Sequence, residues 1–176
     1  MPAHKTGFLV PFRAGPSPGK GLGVFATAPI AQGSVVWRHI PGVFTLYDEP
    51  AFRALIAPMS PADVVYELTH VHTLEDFPGC LIRALDDGIL VNHSPEPTLV
   101  TNNAGPPRRR FDPAAPDYLE QVAAALPDDR YSLIATRDIA PGEEFTNDYM
   151  AEDAAPAFYD GLYEEYGIRE DFLTAP

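Results

Sequence analysis

The chain has 176 residues, of which 45% are hydrophobic, enough to bury a core within one domain. A formal net charge of −13 argues against direct binding of nucleic acid, whose phosphates would be repelled, and suits a basic protein or peptide partner. The single cysteine, Cys80, excludes an internal disulfide and a cysteine-rich zinc site.

Twenty prolines and 13 glycines favour short elements and many turns. The opening "MPAHKTGFLVPF" lacks the charged-then-apolar pattern of a signal peptide. No apolar run is long enough to span a bilayer. The expectation is a soluble, cytoplasmic protein with no membrane partner.

In chain order, "FLVPFR" is the first candidate strand. "GVFATAPI" and "SVVWRHI" follow, joined by "AQG", and "FTLYD" continues the set. "EPAFRALIAPM" and "PADVVYELTHV" are ambiguous, with a helical turn allowed after Pro50 or Pro61. "CLIRAL" and "GILVNH" read as strands flanking Asp86-Asp87-Gly88, a hairpin signal. Residues 98–130 read as an insertion or lid, with a loop around "PPRRRFDPAAP" and the best helix of the chain, "DYLEQVAAAL". Asp117 can cap that helix, and Tyr118, Val122 and Leu126 recur at helical spacing. "YSLIAT" and "EEFTNDY" resume the strands, and "PAFYDGLYEEYGI" closes as a short aromatic helix within a C-terminal segment, 151–176.

An internal echo links two distant stretches. "FATAPIAQGSVV" (25–36) and "IATRDIAPGEEF" (134–145) share one frame of alanine, threonine, isoleucine and glycine before a strand. Gly33 and Gly142 would supply the positive-φ position that closes each turn. A frame this short, present twice, predicts two β-turn units and not a repeat protein.

Several local patterns offer chemistry. In "GKGLGVFAT" the glycines allow close backbone approach to a ligand, but a strand follows them, so neither a Rossmann turn nor a P-loop fits. Glu143 and Glu144 read as a solvated strand start. Tyr149 ends a strand where a phenol can face a pocket. His70 and His72, two apart, would share one strand face, but a metal site needs further ligands and none is expected. The "RRR" at 108–110 reads as a solvated loop. Ser94, His93 and Asp87 have the residue types of a hydrolase triad, but adjacent Ser and His on a strand point to opposite faces, and no nucleophile elbow surrounds Ser94.

Together and in order, three of these stretches resemble the SET domain, the fold of many protein lysine methyltransferases. "GKGLGVFATAPIAQGSVV" is similar to the family's N-terminal motif. "LDDGILVNHSPEPT" is similar to its central Asn-His-Ser motif, and "ATRDIAPGEEFTNDY" to the C-terminal motif that ends in the catalytic tyrosine. The resemblance covers most of residues 20–150 and implies a single domain over 1–176. It implies a mainly β architecture, a β-clip of small sheets with a few short helices and a knot-like C-terminal crossing.

The implied activity is S-adenosylmethionine-dependent methyl transfer to a protein lysine. The resemblance places Asn92 and His93 in the cofactor pocket. It assigns main-chain contacts to Lys20, Gly21, Leu22 and Gly23, and makes Tyr149 the catalytic tyrosine. The aromatic C-terminal segment supplies Phe158, Tyr159, Tyr163 and Tyr166 as candidates for a lysine channel. No metal is implied, because the zinc-binding cysteine segment is absent, as in small stand-alone members, some of which form homodimers. There are departures as well. Leu90-Val91 replaces the usual arginine-phenylalanine, Thr98 replaces an asparagine, and Met150-Ala151 follows the catalytic tyrosine in place of a second tyrosine. These changes bear on the lysine channel and leave a rival reading: a binding module for a basic partner on the same fold without turnover.

Overall fold

The computed structural model describes residues 5–102, 111–149 and 155–168. The arginine triplet at 108–110, the Met150-Ala151 pair and both ends of the 151–176 segment lie outside these residues. Among the described residues, ten short strands form three small sheets, joined by four short helices.

The first sheet has the order β1 (Phe12–Ser17), β2 (Gly21–Ala26), β10 (Glu144–Asn147), β7 (Asn92–His93). β1 and β2 form an antiparallel hairpin, with Ser17 opposite Gly21 and Gly15 opposite Gly23. β10 lies antiparallel to β2 and parallel to β7, pairing Thr146 with Asn92 and Asn147 with His93. The second sheet has the order β3 (Val35–Trp37), β9 (Leu133–Ala135), β8 (Leu99–Thr101). The third runs β4 (Phe44–Tyr47), β6 (Leu81–Ala84), β5 (Val71–His72). Among the described residues no helix is long and apolar enough to cross a membrane.

The two echoing segments clasp each other. Ile30 and Ile139 exchange both backbone hydrogen bonds at 2.9 Å. The Gly33 amide donates to the Ala135 carbonyl at 2.9 Å, and the Gly142 amide donates to the Ala26 carbonyl at 2.8 Å. Ala26 and Ala135 donate in turn to Glu143 and Ser34. Each bond in one segment thus has its counterpart in the other, a local twofold relation. Gly33 and Gly142 have φ of 79° and 91°, which explains the glycine at that place in both frames.

The ambiguous stretches at 49–71 are two helices. α1 (Glu49–Ile56) is capped by Asp48, which accepts from the Ala51 amide at 2.9 Å. α2 (Pro61–His70) is capped by Ser60, with Pro61 at its first position. Their apolar faces bury Phe52, Ile56, Val64 and Leu68 against Leu162 of α4 (Ala157–Glu165). α3 (Tyr118–Ala125) packs into the interior: Val122 and, at its C-cap, Leu126 are fully buried beside Phe77 and Cys80. Asp117 does not cap α3 with its side chain; its carboxylate accepts from Gln121 Nε2 at 2.8 Å instead.

The hairpin expected at Asp86-Asp87-Gly88 does not form. Both edges of β6 are occupied by β4 and β5, and residues Asp87–Leu90 make one 3-10 turn. Asp86 organises it, accepting from the Gly88 amide at 3.0 Å, from the Gly7 amide at 2.6 Å and from Trp37 Nε1 at 3.2 Å. That turn releases β7 to pair with β10 instead.

Candidate active site

β7 is only two residues long, and its position follows from the parallel ladder to β10, which continues as the Ser94 amide donates to the Asn147 carbonyl at 3.0 Å. This pairing sets Asn92 and His93 between the β1–β2 hairpin and Tyr149. Asn92 Nδ2 donates to the Leu22 carbonyl at 2.9 Å and to Glu144 Oε1 at 2.7 Å. Lys20 Nζ donates to the His93 carbonyl at 2.7 Å. The six residues Lys20, Gly21, Leu22, Gly23, Asn92 and His93 therefore share one corner of the first sheet.

Tyr149 is fixed at both ends. Its amide donates to His93 Nδ1 at 3.2 Å, so Nδ1 accepts and the imidazole proton sits on Nε2. Its hydroxyl donates to the Val91 carbonyl in a short hydrogen bond. Burial, with Tyr66 and Tyr163 nearby, pushes the phenol above its ordinary range and keeps it neutral.

Tyr149 also borders a cavity of about 550 Å³, whose lining does not include the Lys20–Gly23 or Asn92–His93 residues. Val91, Asn147, Tyr149, Tyr159 and Tyr163 line it, and Asp160 and Glu164 of α4 border it too. The Tyr159 hydroxyl lies 2.5 Å from the Leu68 carbonyl and 3.0 Å from the Tyr163 hydroxyl. Burial raises both phenols, so this wall is neutral and aromatic. Phe158 and Tyr166 pack among the residues around α1 and α2 and do not border the cavity.

Two expectations are corrected here. His70 and His72 do not share a strand face: His70 ends α2 and its Nδ1 meets the Tyr66 carbonyl at 2.7 Å, whereas His72 lies in β5. Among the described residues no group of three or more histidine, cysteine, aspartate or glutamate side chains is placed to hold a metal. Glu144 is no solvated strand start. Its carboxylate joins Asn92 and, at 2.9 Å, the buried Ser17 hydroxyl. Only the register of β10 against β2 and β7 reveals that role. Ser94 makes a local turn bond, its Oγ accepting from the Glu96 amide at 3.2 Å.

The SET domain family's sequence profile matches residues 21–150. The chain belongs to the SET domain family. No curated protein matches it. Two solved structures illustrate the likeness. A Plasmodium falciparum protein described as a histone methyltransferase aligns with a TM-score of 0.47 and 15% identity, over 81% of this chain and 95% of that one. The Neurospora SET domain protein DIM-5, a histone lysine methyltransferase, aligns with a TM-score of 0.50 and 19% identity, over 81% of this chain and 53% of that one. At that identity the likeness to DIM-5 is one of fold, the β-rich SET fold with short helices.

The SET-domain corner suits a sulfonium nucleoside in its donor set. Carbonyl and carboxylate oxygens flank Asn92 Nδ2, so both its protons are committed inside the protein and the carboxamide oxygen is what it can offer. Cβ atoms built at Gly19 and Gly21, with φ of 74° and 79°, would meet nothing within 4 Å, which leaves room beside the backbone of 19–22. Ammonium, amine and hydroxyl donors of S-adenosylmethionine match such acceptors.

Proposed function

We propose that the chain is a protein-lysine N-methyltransferase that uses S-adenosylmethionine. One observation carries this reading: Tyr149 stands between the Lys20–Gly23/Asn92–His93 corner and the aromatic cavity, bonded to the first through His93 and lining the second. Lys20, Gly21, Leu22, Gly23, Asn92 and His93 would hold the cofactor, and Tyr159 and Tyr163 the target side chain.

The bound cofactor supplies an electron-poor methyl group that an amine can take by in-line displacement. The protein's share is alignment, which can provide much of the rate. Tyr149 commits its proton to Val91 and so offers oxygen lone pairs, suited to weak C–H···O contacts with that methyl. The tyrosine wall desolvates a lysine ammonium and favours the neutral amine that attacks. Asp160 and Glu164 at the same cavity, with the net charge of −13, favour a basic protein or peptide as substrate.

Calorimetric titration of S-adenosylmethionine into wild type and Asn92→Ala tests the cofactor site. Clear binding weakened by the substitution supports it, and methyl transfer to lysine-rich peptides then follows. No binding by folded wild type overturns the proposal and leaves a SET-fold interaction module.

A further inference from the structure

We infer that Glu144 is the positioning residue that decides which atom of Asn92 faces the cofactor, an inference that rests on the functional reading above. A carboxamide can be turned either way about its last bond, exchanging an acceptor for two donors. Here the choice is forced. Both neighbours of Nδ2, the Leu22 carbonyl at 2.9 Å and Glu144 Oε1 at 2.7 Å, can only accept. Turning the amide would set Oδ1 against two other oxygens.

Glu144 is itself held. Its second oxygen accepts from Ser17 Oγ at 2.9 Å, and Ser17 is buried at the end of β1. Its carbonyl accepts from Thr98 Oγ1 at 3.0 Å. Gly23 completes the seat. A Cβ there would run into Glu144 Oε1 and stand 3.0 Å from Asn92 Nδ2. The glycine of "GLGVF" is thus required by the carboxylate lying across it, and its φ is not in the left-handed region. The result is a site that presents an acceptor to ligand donors and discriminates against ligands that present an acceptor there.

Glu144→Gln can keep the arrangement. Its Oε1 accepts from Asn92 while its Nε2 donates to the Ser17 hydroxyl, which accepts as readily as it donates. Glu144→Met keeps the bulk and removes both acceptors. The expected result is that Glu144→Met weakens S-adenosylmethionine binding about tenfold or more, while Glu144→Gln stays within about threefold of wild type. In an Asn92→Ala background, Glu144→Met should cost nothing further, since it acts through Asn92. In the ligand-free protein, NMR should show two distinct, slowly exchanging Asn92 side-chain amide protons that exchange faster in Glu144→Met. Should Glu144→Met fail to fold, Ser17→Ala, which frees one carboxylate oxygen, is expected to give the same changes at smaller size.

Undiminished binding by Glu144→Met, additive losses in the double variant, or unaltered Asn92 amide protons would overturn the inference. If wild type binds no S-adenosylmethionine, the functional reading fails. The amide protons then still decide whether Glu144 orients Asn92.

Discussion

His39 and His72 meet Nε2 to Nε2 at 3.1 Å in the wall of the aromatic cavity. His39 Nδ1 lies 3.0 Å from the Tyr131 carbonyl, which can only accept, so Nδ1 carries the proton. His39 Nε2 must therefore accept, and His72 Nε2 donates to it. The contact leaves room for one proton between the facing Nε2 atoms, so both rings cannot be charged at once. Burial, and then the neighbouring His72, holds His39 well below the ordinary imidazole range, and burial lowers His72 to about 4.

Stability should accordingly fall on mild acidification. The unfolded chain binds a proton at His72 near pH 6.5, the folded chain only near 4, and burial shifts His39 in the same direction, so unfolding takes up protons as pH falls through that window. The contribution is fully present above pH 6.5 and is lost progressively as pH drops toward 4, by roughly 2–3 kcal/mol for His72. Urea denaturation at pH 7 and pH 5 measures it. His72→Gln, which can still donate to His39, should show a shallower loss; equal slopes would count against the pair.

Removing the Tyr149 hydroxyl should separate binding from turnover. Tyr149→Phe leaves the backbone bond to His93 and strands the Val91 carbonyl. A loss of about 1 kcal/mol in stability is expected, with S-adenosylmethionine affinity within about threefold of wild type. Methyl transfer should drop by at least about tenfold. Full activity in Tyr149→Phe would remove the tyrosine from the catalytic reading.

Two glycines should fail in different ways. Gly23→Ala drives a methyl group into Glu144 and toward Asn92, so cofactor affinity should fall with the fold intact. Gly33→Ala meets nothing within 4 Å but must hold φ at +79°. It should cost about 1 kcal/mol of stability and leave affinity unchanged. Melting curves alongside titrations read both; the reverse pattern would refute the assignment.

The ion pair of Glu67 and Arg83 ties α2 to the third sheet. It is bidentate, at 2.6 and 2.8 Å, and Glu67 is buried. Glu67→Ala leaves Arg83 facing a partly desolvated gap and should destabilise by roughly 2–3 kcal/mol. Glu67→Ala/Arg83→Met should cost less than that single change, because no charge is left unpaired. Additive losses would show that the two residues are not coupled.

Much of the architecture was legible locally. The strand signals of "GVFATAPI" and "SVVWRHI" hold strands at Gly21–Ala26 and Val35–Trp37, Tyr118 and Val122 lie in α3 with Leu126 at its C-cap, and Gly33 and Gly142 close turns at positive φ, as expected. The three motifs that resemble the SET domain were legible too, because each is contiguous. What was hidden depends on distant partners. Asp86 looked like a turn residue because its bonds to Gly7 and Trp37 cross the chain. Glu144 looked solvated because Ser17 and Asn92 reach it from two other strands. His72 suggested a partner two residues away, whereas its partner is His39 in another sheet's connection.

The twofold clasp has a consequence for how such a protein can change shape and how it can diversify. Each turn is closed by the other's strand, through Gly33 on Ala135 and Gly142 on Ala26. Neither arm can bend without tearing bonds in both, so the clasp is a poor hinge and a good anvil. Its arms carry different cargo on equivalent frames: Val35 and Val36 on one, Glu144 and Phe145 on the other. One arm serves packing alone, while its twin carries the carboxylate that seats Asn92. Substitutions on the second arm can retune the site while the first keeps the geometry constant.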